Sequence, residues 1–332
     1  MALRVPPLNQ RVRTILFALL CALLPACTER SGNTGADHER PLVIGFSPIV
    51  SWGGWSGANA NSVRNAARAA GMELRMEDSR YRQENQVALL RSFVTQRVDV
   101  IILSPVVESG WDLVLSEVRS AGIPVILLDR NIEVSDESLY ASLIGSDFVE
   151  EGRRAGRWLL EHTRDVPGDI AILELRGSDG SAPANDRKLG FAQTIARDRR
   201  YRIVHSESGD FFRARAREIT ARFLARQSHR VHVIFAHNDG MALGGIDAVE
   251  AAGLEPGSDV LVLAIEGSRQ GLEAIVAGKL NVSVEVNPLV GPQLIAIAKD
   301  AASGKPVPRR VVTRETVFTR ENAAAELAKR AY

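Results

Sequence analysis

Residues 83–130 read QENQVALLRSFVTQRVDVIILSPVVESGWDLVLSEVRSAGIPVILLDR. Val87, Leu90 and Val94 recur at helical spacing between Gln83 and Gln96, with Arg91 and polar amides on the other side, which predicts an amphipathic helix. Val98 to Leu103 is an unbroken apolar run of strand length, followed by Ser104 and Pro105. A second helix is predicted from Asp112 to Ala121, stopped by Gly122, and a second apolar run, Ile123 to Leu128, ends in Asp129 and Arg130. Strands that are apolar throughout are buried on both faces, so this alternation predicts a parallel sheet covered by helices. The polar residues at the strand ends carry the functional information, because ligands of open parallel sheets bind beyond the carboxyl ends of the strands.

The same alternation extends both ways. Upstream, strands are predicted at Leu42 to Phe46 and Leu74 to Glu77, with a helix from Ser56 to Ala70 between them. Downstream, a short apolar run at Tyr140 to Ile144 is followed by a helix at Glu150 to His162, where the pattern restarts. Strands are then expected at Ile170 to Leu175, Tyr201 to His205, Val231 to Ala236, Val260 to Ile265 and Val282 to Val286. Between them lie helical patterns at Asp186 to Ala196, Ala214 to Gln227, Gly240 to Ala252 and Arg269 to Ala277. One more helix, Gly291 to Ser303, and an extended tail, Arg310 to Phe318, complete the plan. The fold class is therefore α/β, with two similar Rossmann-like lobes built on parallel sheets.

A chain of 332 residues agrees with two domains. Its 41 Lys+Arg against 40 Asp+Glu leave a net charge of +1, so no broad field exists to hold nucleic acid. At the start, Arg4, Arg11 and Arg13 precede the apolar run Ile15 to Leu24, the pattern of a secretory signal. A membrane-spanning helix needs about 20 apolar residues, and this run stops sooner, at Pro25. Leu24-Pro25-Ala26-Cys27 resembles the lipobox of bacterial lipoproteins, in which the cysteine is acylated and becomes the new N-terminus. The other thiol, Cys21, lies in the segment that would be removed, so no disulfide is expected and lipidation would consume Cys27. Residues 28–40 are polar and aperiodic and read as a flexible tether.

The strand ends read Phe46-Ser47, Ser104-Pro105, Asp129-Arg130, Asn238-Asp239, Glu266-Gly267 and Glu285. Permanent donors mixed with carboxylate acceptors suit a compact polyol, whose apolar faces Trp52, Trp55 and Phe211 would cover. GxxxxGK[ST], HExxH, CxxC and the EF-hand loop are absent, so no cofactor and no metal is expected. His229, His232 and His237 are close in sequence, but strand alternation keeps the first two off one shared face with the third, and they read as structural. Asp129, Glu266 and Glu285 are expected to stay ionised beside neighbouring cations rather than act as acid and base. With GxSxG also absent, catalysis is not expected.

Several segments together carry a family resemblance: GFSPIVSWGGW from Gly45, QENQVALLRSFVTQRVDVI from Gln83, PVVESGW from Pro105, IPVILLDR from Ile123, SGDF from Ser208, FAHNDGMALGGIDAVEAAGL from Phe235 and SVEVNP from Ser283. With these the chain resembles the ribose-type sugar-binding proteins of the periplasmic binding protein superfamily, its galactofuranose-binding members above all. The resemblance implies the type I fold, two lobes joined by a three-segment hinge that close on a ligand between them. It implies a first lobe of residues 41–144 plus 286–308 and a second of 145–285 plus 309–332.

Carried over residue by residue, the implied sugar-binding set is Trp55, Asp129, Arg130, Arg187, Phe211, Asn238, Glu266 and Glu285, with Ser47, Ser56 and Ser104 as weaker candidates. Other roles stand beside these: a strand-end salt bridge for Asp129 and Arg130, exposure in a helix's first turn for Arg187, a helix N-cap for Asn238 or Asp239, and plain packing for Trp55 and Phe211. Ser56 stands where galactofuranose binders carry Arg, and Glu266 where Asp is usual, departures expected to shift selectivity. The implied function is the solute-binding component of an ABC sugar importer for galactofuranose or a related pentose or hexose. Its partners would be the permease and, through the lipid anchor, the membrane; it would be a periplasmic monomer. Service to a chemoreceptor or sensor kinase is the near alternative. A sugar-responsive repressor would require an N-terminal helix-turn-helix, which residues 1–40 do not supply, and an exported hydrolase would reveal itself by turnover.

Overall fold

The computed structural model describes residues 40–49, 54–226 and 231–332; the expected signal segment with Cys27, the tether up to residue 39, Trp52 and His229 lie outside them. One six-stranded sheet contains β1 (Val43–Ser47), β2 (Glu73–Met76), β3 (Val100–Leu103), β4 (Val125–Leu128), β5 (Ser142–Gly145) and a late arrival, β11 (Arg310–Val312), in the order β11-β5-β4-β3-β1-β2. All its pairings are parallel. A second six-stranded sheet contains β6 (Ile170–Arg176), β7 (Tyr201–Ser208), β8 (Val233–Ala236), β9 (Leu261–Glu266), β10 (Val282–Glu285) and β12 (Val317–Thr319), in the order β12-β10-β9-β8-β6-β7. Only β12 runs antiparallel, against β10. The repeated plan expected from the alternation is thus two sheets wound in one order.

Every residue of β1, β3, β4 and β8 is buried, which is why those strands are apolar apart from Ser47 at the end of β1. Helices α1 (Gly54–Ala69) and α9 (Gly291–Ala302) cover one face of the first sheet, packing Val63 and Leu294 against Ile44, Phe46 and Ile102. The other face meets α2 (Gln83–Thr95) and α3 (Asp112–Ser120), around Phe93 and Trp111. In the second lobe α4 (Phe148–His162) and α5 (Ala182–Ile195) close over a Phe191–Phe235 stack with ring centroids 4.0 Å apart. The opposite face packs on α6 (Arg213–Leu224), α7 (Asp239–Ala251), α8 (Arg269–Val276) and the short α10 (Ala323–Leu327). Each apolar side chain so buried contributes about 1.5–3 kcal/mol, and these four clusters hold the strand ends in place.

Two expectations are corrected. The stretch 310–312 belongs to the first sheet: Leu143 N–H donates to Arg309 O (3.0 Å) and Thr313 N–H to Gly145 O (3.2 Å), so the last crossing between lobes falls after Val312 rather than at 308/309. An extended tail carries no period that says which of two open sheet edges it joins. Helix α5 starts at Ala182, ahead of the expected Asp186, because Ser181 is extended at the N-cap position and Pro183 suits a helix's first turn.

Candidate ligand-binding site

Between the lobes, at the carboxyl ends of both sheets, lies a cavity of about 430 Å³. Its volume falls within the roughly 300–1,000 Å³ of small-molecule sites. The first lobe lines it with Trp55, Ser56, Ser104, Asp129 and Arg130, and the second with Arg187, Phe211, Asn238 and Glu266. Seven of the eight principal residues carried over from the family therefore meet in one place, together with two of the three weaker candidates.

Backbone geometry aims these groups. Asp129 follows β4 with φ 69°, a left-handed conformation that an aspartate tolerates at some cost. The turn needs glycine next door, since a Cβ on Gly145 would sit 2.5 Å from the Asp129 Cα. Phe211 likewise has φ 64°, and its ring occupies the place of a missing side chain at Gly177, where a Cβ would lie 2.0 Å from Cζ. The Arg130 guanidinium sits 5.6 Å over the Phe211 ring, joining the lobes by a cation–π contact. Trp55, at the start of α1, donates its indole N–H to Val286 O (2.7 Å), just past β10.

Arg187 is neither exposed nor in the first turn of its helix, which starts at Ala182. It is 5 % exposed, donates through Nε to Glu151 Oε2 (2.7 Å) and through Nη1 to His237 O (2.8 Å), and lies 5.0 Å from the Phe148 ring. A guanidinium has five N–H donors, so this double anchorage leaves others for the cavity. Asn238 Oδ1 caps α7 by accepting from Met241 N–H (2.9 Å), and the residue also lines the cavity. Asp239 is structural, accepting from Ser268 N (2.6 Å), Ser268 Oγ (2.8 Å) and Ser283 Oγ (2.6 Å).

Glu285 and Ser47 do not line the cavity. Both carboxylate oxygens of Glu285 are occupied, Oε1 by Arg330 Nη1 (2.8 Å) and Oε2 by Thr316 N–H (2.9 Å). Ser47 is buried behind the cleft, where its hydroxyl accepts from Gln86 Nε2 (3.1 Å). His232 accepts Ala171 N–H through Nδ1 (3.0 Å), and His237 lies in the interior 3.5 Å from Glu174.

The charge state of the site also departs from expectation. Burial, reinforced by Asp239, pushes the Glu266 carboxyl up to about 8 against the opposing pull of Arg187, so at neutral pH it is an acid with a proton to donate. Glu266 has φ 134°, a backbone conformation that favours glycine. Burial raises Asp129 as well, opposed by Arg130, Arg187 and Arg310. The cleft thus combines fixed guanidinium donors, an amide, a neutral acid and aromatic faces, a set that recognises hydroxyls of a neutral molecule.

A model of the periplasmic binding protein domain matches residues 44–306. The chain belongs to the periplasmic binding proteins. It is 38 % identical over 293 residues, 87 % of this chain and 92 % of the relative, to the galactofuranose-binding protein YtfQ of Escherichia coli K12. Among solved structures it is similar to a Mycobacterium smegmatis protein in complex with β-D-fucofuranose (TM-score 0.83, 43 % identity, 87 % of this chain and 97 % of that one). It is similar also to the arabinose ABC transporter component of Shewanella sp. ANA-3 bound to α- and β-L-arabinofuranose (TM-score 0.83, 40 % identity, 87 % and 95 % covered). Membership places this periplasmic binding protein among binders rather than catalysts.

Sequence reasoning missed several residues of the binding protein's cleft, Asp210, Tyr81 and Tyr332 among them. Asp210 stands beside Phe211 in the motif already singled out, and Tyr81 sits in the loop after β2, where the strand-end rule points. Tyr332 had no local signal at all.

Proposed function

We propose that this periplasmic binding protein is the solute-binding component of an ABC sugar importer, closing its lobes on one neutral monosaccharide of the galactofuranose or related pentose and hexose class. The observation that carries the reading is convergence: Asp129 and Arg130 from one lobe and Arg187, Asn238 and Glu266 from the other line one cavity between aromatic rings. Ligand stabilises only the arrangement in which both walls meet, so binding and closure are one equilibrium. The kinds of sugar named for the relatives, furanoses among them, support the choice of ligand. The cation–π contact of Arg130 with Phe211, the Glu108 N–H bond to Gly180 O (2.9 Å) and that of Asn185 Nδ2 to Glu108 Oε2 (2.5 Å) are among the contacts that opening would break.

Calorimetric titration with galactofuranose, galactopyranose, arabinose, ribose and glucose tests the reading; saturable binding of at least one, with no turnover, is the expected result, and no heat with any of them overturns it. Glu266 and Ser56 are proposed to retune a galactofuranose-type pocket, so Glu266→Asp combined with Ser56→Arg should raise the preference for galactofuranose. The periplasmic location follows from the family; lipid attachment at Cys27 and a monomeric state are further parts of the proposal. An intact mass that begins at Cys27 and includes acyl chains is the expected finding for the first, and a monomer mass by light scattering for the second.

A further inference from the structure

The cleft has a wall that comes from the far end of the chain. Tyr332 lines the cavity beside the loop 266–270, and its main-chain oxygen accepts the Arg269 N–H (2.5 Å). Arg269 continues along the same segment, donating through Nε to Arg330 O (3.1 Å) and through Nη2 to Leu327 O (3.4 Å). Arg330 is the anchor of the segment. It is 8 % exposed, its guanidinium lies 4.7 Å from the Phe318 ring and 4.9 Å from the Tyr332 ring, and it bonds both Glu285 Oε1 and the Tyr332 hydroxyl. Glu285 in turn grips Thr316 N–H, at the approach to β12. The carboxylate that the family resemblance assigned to sugar thus holds the segment that reaches the sugar site.

Resting on the sugar-binding reading above, we infer that residues 323–332 form a functional wall of the cleft, in which Arg330, locked onto Glu285, seats Tyr332 against the 266–270 loop and Tyr332 determines which ring substituents the second lobe accepts. Glu266 and Ser268, both on that loop, also line the cavity, so a shift of the segment moves polar groups as well as the ring. Burial pushes the Tyr332 hydroxyl up to about 12, so the ring is neutral at physiological pH and presents an uncharged face to a sugar's C–H groups.

Calorimetry of Tyr332→Ala and Tyr332→Phe with the same five sugars tests the inference. Tyr332→Ala should weaken the tightest wild-type sugar by about tenfold, the scale of one lost aromatic contact, and should narrow the spread among sugars, whereas Tyr332→Phe should keep the rank order. A wild type that binds while Tyr332→Ala retains both affinity, within about twofold, and rank order overturns this inference alone. A wild type that binds none of the five overturns the sugar reading and the selectivity role with it. Hydrogen–deuterium exchange on ligand-free Arg330→Met is independent of any sugar: uptake should rise in peptides covering 266–276 and stay unchanged in those covering 100–103. Equal protection of 266–276 in variant and wild type would show that Arg330 does not seat the wall.

Discussion

The two lobes share one strand order but present their cleft residues differently. At the end of β4, Asp129 meets charge through space, from Arg130, Arg187 and Arg310, and Arg130 makes one long bond to Val106 O (3.4 Å). Across the cleft, Arg187 is clamped to Glu151 and to the His237 carbonyl, Asn238 caps α7, and Glu266 stands before the fully bonded Asp239. The second lobe is therefore organised before any ligand arrives, while the first offers a charge pair whose remaining bonding capacity awaits one. Preorganisation on one side limits the ordering cost of binding, and loosely held charge on the other lets ligand decide closure.

The largest effect that would break this contrast is in Arg187→Ala. Removing Arg187 takes the buried donor from both Glu151 Oε2 and the His237 carbonyl, so denaturant unfolding should show a loss of about 1–3 kcal/mol for each acceptor left unpaired, in addition to lost binding. The resemblance assigned Arg187 to ligand; its bonds to Glu151 and to the His237 carbonyl give it interior partners as well. Asp129→Asn, which tolerates the same left-handed turn, should do the opposite, weakening sugar binding by about 1–3 kcal/mol while changing unfolding by no more than about 0.5 kcal/mol. Equal destabilisation by the two variants would erase the distinction between the lobes.

Titration sharpens the contrast. Glu151 and Glu266 lie at about 8 in the fold against an ordinary 4.5, so between these values the folded protein holds protons that the unfolded chain has released. Stability is then greatest below the unfolded value and falls as pH rises toward 8, by up to about 1.4 kcal/mol per pH unit for each group. Unfolding measured across that window should show a shallower decline for Glu266→Gln, which keeps a neutral donor. A slope equal to that of wild type would mean that Glu266 is ionised in the fold. The smallest effect expected is the cap: Asn238→Ala should cost about 1 kcal/mol of stability, and Asn238→Asp should recover most of it, read by thermal unfolding.

Much of this was legible in the linear chain, for reasons that are local. Apolar runs such as Val98 to Leu103 are visible because strands buried on both faces cannot alternate, and Asp129, Arg130, Asn238 and Glu266 are visible because they terminate such runs. Arg187 lies within a helix, away from any strand end, and was reached by family resemblance instead. Ser47 and Glu285 satisfy the same strand-end rule yet are bonded to Gln86 and to Arg330 and Thr316, and strand position alone does not announce such partners.

What the sequence by itself determined is the class of fold, the repeat of one winding in two lobes and most of the cleft's polar inventory, because those follow from short-range periodicity and from where apolar runs stop. Only the tertiary structure decided which edge 310–312 joins, that Glu285 serves Arg330 rather than the cleft, that Tyr332 reaches the cavity and that burial and Asp239 raise the Glu266 carboxyl. Each of these depends on groups distant in the chain brought within a few ångströms, and on how much water that packing excludes; the spacing of residues along a sequence encodes neither.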